Sequence, residues 1–289
     1  VTRTTLDMHR TAAIRKHLQE LEALRMELSI SDRRAPVADA LYESIRRDAE
    51  IIEIPEAVVR QHRYEPYRIK LAYMIARLEA LLGEHGEGTA PDYDSTAYAA
   101  DLDLLDHCLR ESGFVEVARN GRLADLRVLS RTFGFHLAAL DIRQHSNAHE
   151  AALSELFRLA GVSPDYASLP EEKRLKLLTA ELANPRPLLA PGATLSPATA
   201  EVLAVFRVMS DAIRRDPAAI GSYIVSMTHA ASDLLEPLLL AKEAGLWLPE
   251  AGAPVDFVPL FETIDDLERA EVRMRALFAI PAYQAQLRV

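Results

Sequence analysis

Three groups of residues in this chain have the types and placement to do chemistry, and each stands at the end of a short β-like run. Residues 255–262 read as a buried strand that leads through Leu260 and Phe261 to Glu262. Thr263 and Asp266 come next, three apart, as a helix N-cap and its returning acid are. A lone carboxylate at the carboxyl end of a buried strand is unfavourable unless it is used, and in α/β architectures that end is where ligands and metals gather. A run over 135–143 ends in Asp141, Arg143, Gln144, His145 and Ser146, and a run over 221–228 ends in Ser226, Thr228 and His229. If the three runs are parallel and adjacent, these groups converge on one rim. Arg143 would then supply a planar, permanently charged fork for phosphate or carboxylate. Glu262 would supply a hard oxygen ligand for Mg²⁺ or Mn²⁺. Together they suit a phosphorylated, enolisable substrate.

The same residues also have structural readings. Arg143 can pair with Asp141 or a helix carboxyl end, and Glu262 can simply favour the start of a helix dipole. His145 and His149 stand four apart, but without a third ligand or an intervening Glu they do not make a zinc motif. No Gly-rich phosphate loop, G-x-S-x-G elbow or H-E-x-x-H motif is present.

The elements that must position these residues divide the chain. The first half has a helical period, with apolar stripes over 5–28, up to about 50, 67–82, 97–111 and 122–131. Residues 83–94, rich in Gly, Pro and charge, predict a surface loop. In the second half each β-like run is followed by a helix pattern, over 148–159, 233–244 and 265–278. Two further helices, 171–183 and 197–215, lie between the first two units. Strand, loop and helix taken three times predict a parallel sheet with crossover helices. Three strands do not close a barrel, so the sheet is open or belongs to a longer barrel.

The 289 residues are 49% hydrophobic, enough for one large core or two smaller ones. A formal net charge of −10 argues against a nucleic-acid partner, although a local arginine still suits an anionic small molecule. No apolar run approaches a membrane span, and the polar start Val1-Thr2-Arg3-Thr4-Thr5 predicts no signal peptide. The single Cys108 has no internal disulfide partner and fits a reducing, cytoplasmic compartment. Val1 in place of Met, and an end without a polar tail, predict a piece of a longer protein.

Three of these segments resemble those of a known family. The segment over 132–146, which contains Asp141-Ile142-Arg143-Gln144, is similar to the phosphoenolpyruvate carboxylase segment ending in D-I-R-Q. The segment over 220–228 with Ser232-Asp233-Leu234-Leu235 resembles a second family segment. Pro259-Leu260-Phe261-Glu262-Thr263 with Asp265-Asp266-Leu267 resembles a third, and all three occur in the family's order. The helical first half is similar too. The resemblance covers essentially this whole chain but only about a third of a family member.

That resemblance implies a mainly α fold with a few parallel strands, part of a (β/α)8 TIM-like barrel with many added helices. It divides this chain into a helical region at 1–131 and a partial barrel segment at 132–289. The implied reaction converts phosphoenolpyruvate and bicarbonate to oxaloacetate and phosphate with Mg²⁺ or Mn²⁺, in a cytoplasmic homotetramer feeding the tricarboxylic acid cycle. By correspondence, Arg143 holds the phosphate group, Leu260 lies beside the substrate's methylene carbon, and Glu262 is one of two metal carboxylates. The T-A-H-P-T segment with the catalytic histidine and the G-Y-S-D-S segment with the second carboxylate are absent. None of His136, His145 and His229 matches the missing histidine. These 289 residues alone are therefore expected to be inactive. The alternative is a helical interaction or regulatory module that keeps the scaffold without the chemistry.

Overall fold

The computed structural model describes residues 2–83, 93–190, 192–249 and 251–287. Of the loop expected at 83–94, residues 84–92 lie outside the described residues. The chain forms two compact units, Thr4–Ala138 and Ala139–Val289 with Val1–Arg3.

The first unit is helical: α1 (Arg3–Glu27), α2 (Asp39–Ile51), α3 (Glu56–Gln61), α4 (Pro66–Leu81), α5 (Ser95–Glu111), α6 (Val115–Asn120) and α7 (Arg122–Phe133). The period read in the sequence buries Leu6, Ile14, Leu21 and Leu24 on one face of α1. Helix α4 differs: it is apolar nearly all round and buried nearly all round, so α2, α3 and α5 pack about it. Lys70 is a cation in this core, with none of its side chain exposed. Its Nζ lies 2.7 Å from Asp48 and 2.6 Å from Asp101. Arg77 adds a 3.0 Å bond to Asp48, and Tyr93 donates to Asp101 at 2.9 Å. Burial pushes the Asp48 carboxyl up, and Lys70 beside it pulls the other way.

The second unit alternates: β1 (Leu140–His145), α8 (Ser146–Leu159), α9 (Glu171–Ala183), α10 (Pro197–Arg215), β2 (Ile220–Ser226), α11 (Ser232–Glu243), β3 (Asp256–Pro259), α12 (Ile264–Phe278) and α13 (Pro281–Gln286). The strands form one parallel sheet in the order β1-β2-β3. Mainly helix with a small parallel sheet is therefore the observed class. Strand alternation gives the sheet two unlike faces. Ile142, Tyr223, Val225 and Phe257 are buried on one face, where Phe206 of α10 stacks on Tyr223 at 4.9 Å. Arg143, Ile224 and Val258 pair across the other face, and none of the three is fully buried.

On the covered face His149 of α8 is 0% exposed, with Nε2 2.8 Å from the Tyr223 hydroxyl. Burial, with a smaller effect of His145, pushes its pKa down from 6.5 to about 3. The unfolded chain then binds a proton that the folded chain refuses. This stabilisation is complete above about pH 6.5 and is lost as pH falls toward 3, by about 1.4 kcal/mol per unit. At pH 5 the loss is about 2 kcal/mol. Urea titrations between pH 4 and 6.5 should show a shallower slope of stability against pH in His149→Phe. An unchanged slope would mean that the imidazole charges inside the fold.

Two expected strands come out shorter. The run at 135–143 becomes a strand only from Leu140. Gly134 (φ 46°) and Leu137 (φ 67°) break it, and its first part belongs to the helical unit. There Phe135 packs on Tyr98 with centroids 5.5 Å apart, and His17 Nε2 lies 2.8 Å from the Gly134 carbonyl. The run at 255–262 is strand only over Asp256–Pro259. The Leu260 amide still donates to Val225 at 2.8 Å, after which the chain leaves the ladder, so Glu262 stands beyond the strand.

Candidate functional site

Parallel register brings the carboxyl ends of the three strands to one edge, because Arg143 pairs with Ile224 and Ile224 with Val258. There the Arg143 guanidinium donates to Glu262 Oε1 across 119 residues of sequence. Both side chains reach solvent. Arg143 does not turn to Asp141, whose Oδ1 accepts instead from the Ser222 amide at 2.9 Å. Leu260 is half-buried, and its backbone is tied at both its groups: its amide to Val225 of β2, its carbonyl to the Thr228 amide just after β2 at 3.5 Å.

The start of α12 aims Glu262. Thr263 caps that helix in a closed capping box: its hydroxyl accepts from the Asp266 amide at 3.1 Å, and Asp266 accepts from the Thr263 amide at 3.2 Å. Asp266 is only 1% exposed and is met from three directions. The Thr263 hydroxyl donates at 2.7 Å, His229 Nδ1 lies at 2.9 Å, and Arg273 donates at 2.8 Å. The Thr263 and His229 bonds, in that order, hold the Asp266 carboxyl well below the usual carboxylate range.

Loop 227–231, between β2 and α11, is equally fixed. Met227 takes a left-handed backbone (φ 56°), and its carbonyl accepts from Ser146 Oγ at 2.8 Å. The Thr228 hydroxyl donates to Val225 at 2.9 Å, and the Thr228 carbonyl accepts from Arg273. The amides of His229 and Ala230 both donate to Asp233, at 2.7 and 3.0 Å. Burial pushes the Asp233 carboxyl up against those two bonds.

The rim residues from the sequence thus sort into two kinds. Arg143 and Glu262 meet as a charged pair, while Gln144, His145 and Ser146 serve the backbone. His145 Nδ1 accepts the Asn147 amide at 3.1 Å and so caps α8 rather than joining His149 on a metal. Among the described residues no group of three or more His, Cys, Asp or Glu could hold a metal ion. Sequence reading missed the His229–Asp266 pair. The capping spacing accounts for Asp266 fully, so nothing announces its second partner 37 residues upstream. No described helix is long and apolar enough to cross a membrane.

The whole chain, residues 1–289, matches the family model described as phosphoenolpyruvate carboxylase. It is similar to curated proteins of that name. The one from Rhodothermus marinus is 50% identical over 99% of this chain and 32% of that protein. The one from Roseiflexus castenholzii is 40% identical over 99% of this chain and 32% of that protein. The one from Mycobacterium avium is 40% identical over 99% of this chain and 31% of that protein. The chain thus spans about a third of the length of these relatives.

Proposed function

The chain belongs to the phosphoenolpyruvate carboxylase family, and from that premise we propose that the whole protein carboxylates phosphoenolpyruvate with bicarbonate to give oxaloacetate and phosphate. The observation that carries the proposal is the Arg143–Glu262 pair on the strand-end rim. A substrate phosphate and a divalent cation have opposite charges, and each can replace one member of that pair for the other. Arg143 turns its fork to the phosphate oxygens, where two parallel bonds fix orientation as well as charge. Glu262 would turn its oxygens to Mg²⁺ or Mn²⁺, which would supply Lewis-acid stabilisation of the negative charge developing on the enol oxygen. Leu260, anchored through its backbone, offers an apolar wall to the methylene carbon that accepts the carboxyl group.

The sheet supports a larger barrel in the whole protein. Parallel sheets in α/β folds are covered on both faces. Here only the face of Tyr223 and Phe257 is covered by helices, while that of Arg143, Ile224 and Val258 is not buried by the described residues. Closure of a (β/α)8 barrel would turn that second face inward and surround the rim with further loops. We place this whole protein in the cytoplasm as a homotetramer, on the family resemblance alone.

Assayed alone with phosphoenolpyruvate, bicarbonate and Mg²⁺, these 289 residues are expected to yield no oxaloacetate above the uncatalysed background. One carboxylate and one arginine leave both the cation and the reacting oxygens incompletely held. Coupled reduction of oxaloacetate by malate dehydrogenase and NADH checks this. Turnover by the piece would mean that the chemistry resides wholly within it.

A further inference from the structure

We propose that His229 is a substrate-contacting donor on this rim, its Nε2–H binding an oxyanion of the reacting pair, either the phosphate group of phosphoenolpyruvate or bicarbonate. The inference rests on the carboxylase reading and adds to it a residue of this chain's own. His229 comes just after β2, the middle strand of the sheet whose ends bring Arg143 and Glu262 together, and its ring meets Asp266, four residues past Glu262. Its backbone has little freedom. Met227 stands in a strained conformation just before it, Ser146 and Arg273 hold the two preceding carbonyls, and Asp233 takes its amide.

The ring is oriented as well. Asp266 holds Nδ1, the ring keeps 52% of its surface exposed, and Nε2 has no protein partner among the described residues. Because the Asp266 carboxylate accepts from Nδ1–H, Nε2 faces outward as a donor when the ring is protonated and as an acceptor when it is neutral. A purely structural role explains less. Thr263 and Arg273 already satisfy Asp266, and a half-exposed ion pair adds little stability. The charges around the ring are Asp266 and Arg273 from α12, Asp233 from α11, and the Arg143–Glu262 pair with His145 at the flanking strand ends. An oxyanion arriving at the rim therefore meets Arg143 as a permanent cation and His229 as a cation only when the ring is protonated.

The test uses the full-length protein and the variants His229→Gln and His229→Lys. Steady-state KM is measured for phosphoenolpyruvate and, separately, for bicarbonate from about pH 6 to about pH 8.5, together with equilibrium binding of phosphoenolpyruvate and of bicarbonate, each alone. Loss of a charge-assisted bond should raise one of the two KM values about 10-fold in His229→Gln at the acid end, with Tm moved by less than about 2 °C. Which KM moves identifies the oxyanion. His229→Lys should keep the low KM and lose its dependence on pH. KM values and pH profiles in His229→Gln that match the wild type would overturn the assignment of His229 and leave the carboxylase reading intact. A wild-type protein that makes no oxaloacetate would instead sink the carboxylase reading. Equilibrium binding of phosphoenolpyruvate and of bicarbonate, each measured alone, would then decide His229 by itself, equal affinity of wild type and His229→Gln for both counting against it.

Discussion

In the full-length protein, Arg143→Ala and Glu262→Ala should each lower kcat/KM for phosphoenolpyruvate by about 10³-fold while leaving the thermal midpoint almost unchanged. The two halves of this expectation have different causes. Both side chains reach solvent, so their mutual attraction is screened and contributes under about 1 kcal/mol to folding. In the proposed roles the same charges would act around bound substrate with water excluded, where a fixed donor facing developing negative charge lowers a barrier by about 3–4 kcal/mol. Arg143→Lys keeps the charge but loses the fork, and a smaller fall of about 10–100-fold is expected. The exchanged pair, Arg143→Glu with Glu262→Arg, separates the possibilities. It can rebuild an ion pair at the same place, so it would rescue a residue pair whose role is structural. It puts a carboxylate against the phosphate and a guanidinium against the cation, so it should be inactive. Wild-type rates in either alanine variant, or activity in the exchanged pair, would remove these two residues from the chemistry.

The rim is legible in the sequence because its information is local. Thr263 and Asp266 announce a capping box by their spacing, and the box forms. The helix over 171–183 is legible to the residue because an apolar period sits between two clear ends, Pro170 and Asn184. Three short segments in a fixed order are enough to identify the family. The features that stay hidden depend on partners far away in the chain. Residues 135–139 have a strand's composition, yet Phe135 is captured by Tyr98 and His17, and two left-handed residues turn the backbone before pairing can begin. Helices α3 and α6 have six residues each and no side-chain cap, so no local signal marks them. His229 meets Asp266 across 37 residues, and Lys70 in a helical stripe reads as a solvent-facing cation. In each case tertiary contact outweighs local propensity, and single-sequence periodicity carries no term for it.

Lys70 therefore gives the largest expected effect on stability. Lys70→Met keeps the length and apolar stem of the side chain and removes only the charge, so its effect reads the electrostatics of the core rather than a cavity. Asp48, with 4% of its side chain exposed, and Asp101 would then face each other with Arg77 as their remaining cation and Tyr93 as a hydroxyl donor on Asp101. Breaking a buried pair on one side leaves a desolvated charge, and the expected loss at about pH 7 is about 3–5 kcal/mol. The loss should depend on pH in a definite direction. Burial already raises the folded Asp48 pKa, and removing the neighbouring cation raises it further. A carboxyl raised in the fold contributes stability below its unfolded pKa and loses it as pH rises through the folded one. The variant should therefore be closest to wild type near about pH 4 and furthest from it at about pH 7. Adding Asp48→Asn removes the unpaired charge and should recover a large part of the loss, because the partners couple. Hydrogen exchange of the α4 amides, which reports this unit separately from the sheet, measures the wild type and both variants. A Lys70→Met penalty below about 1 kcal/mol at about pH 7, or one that does not shrink on acidification, would show that Arg77 alone neutralises both acids.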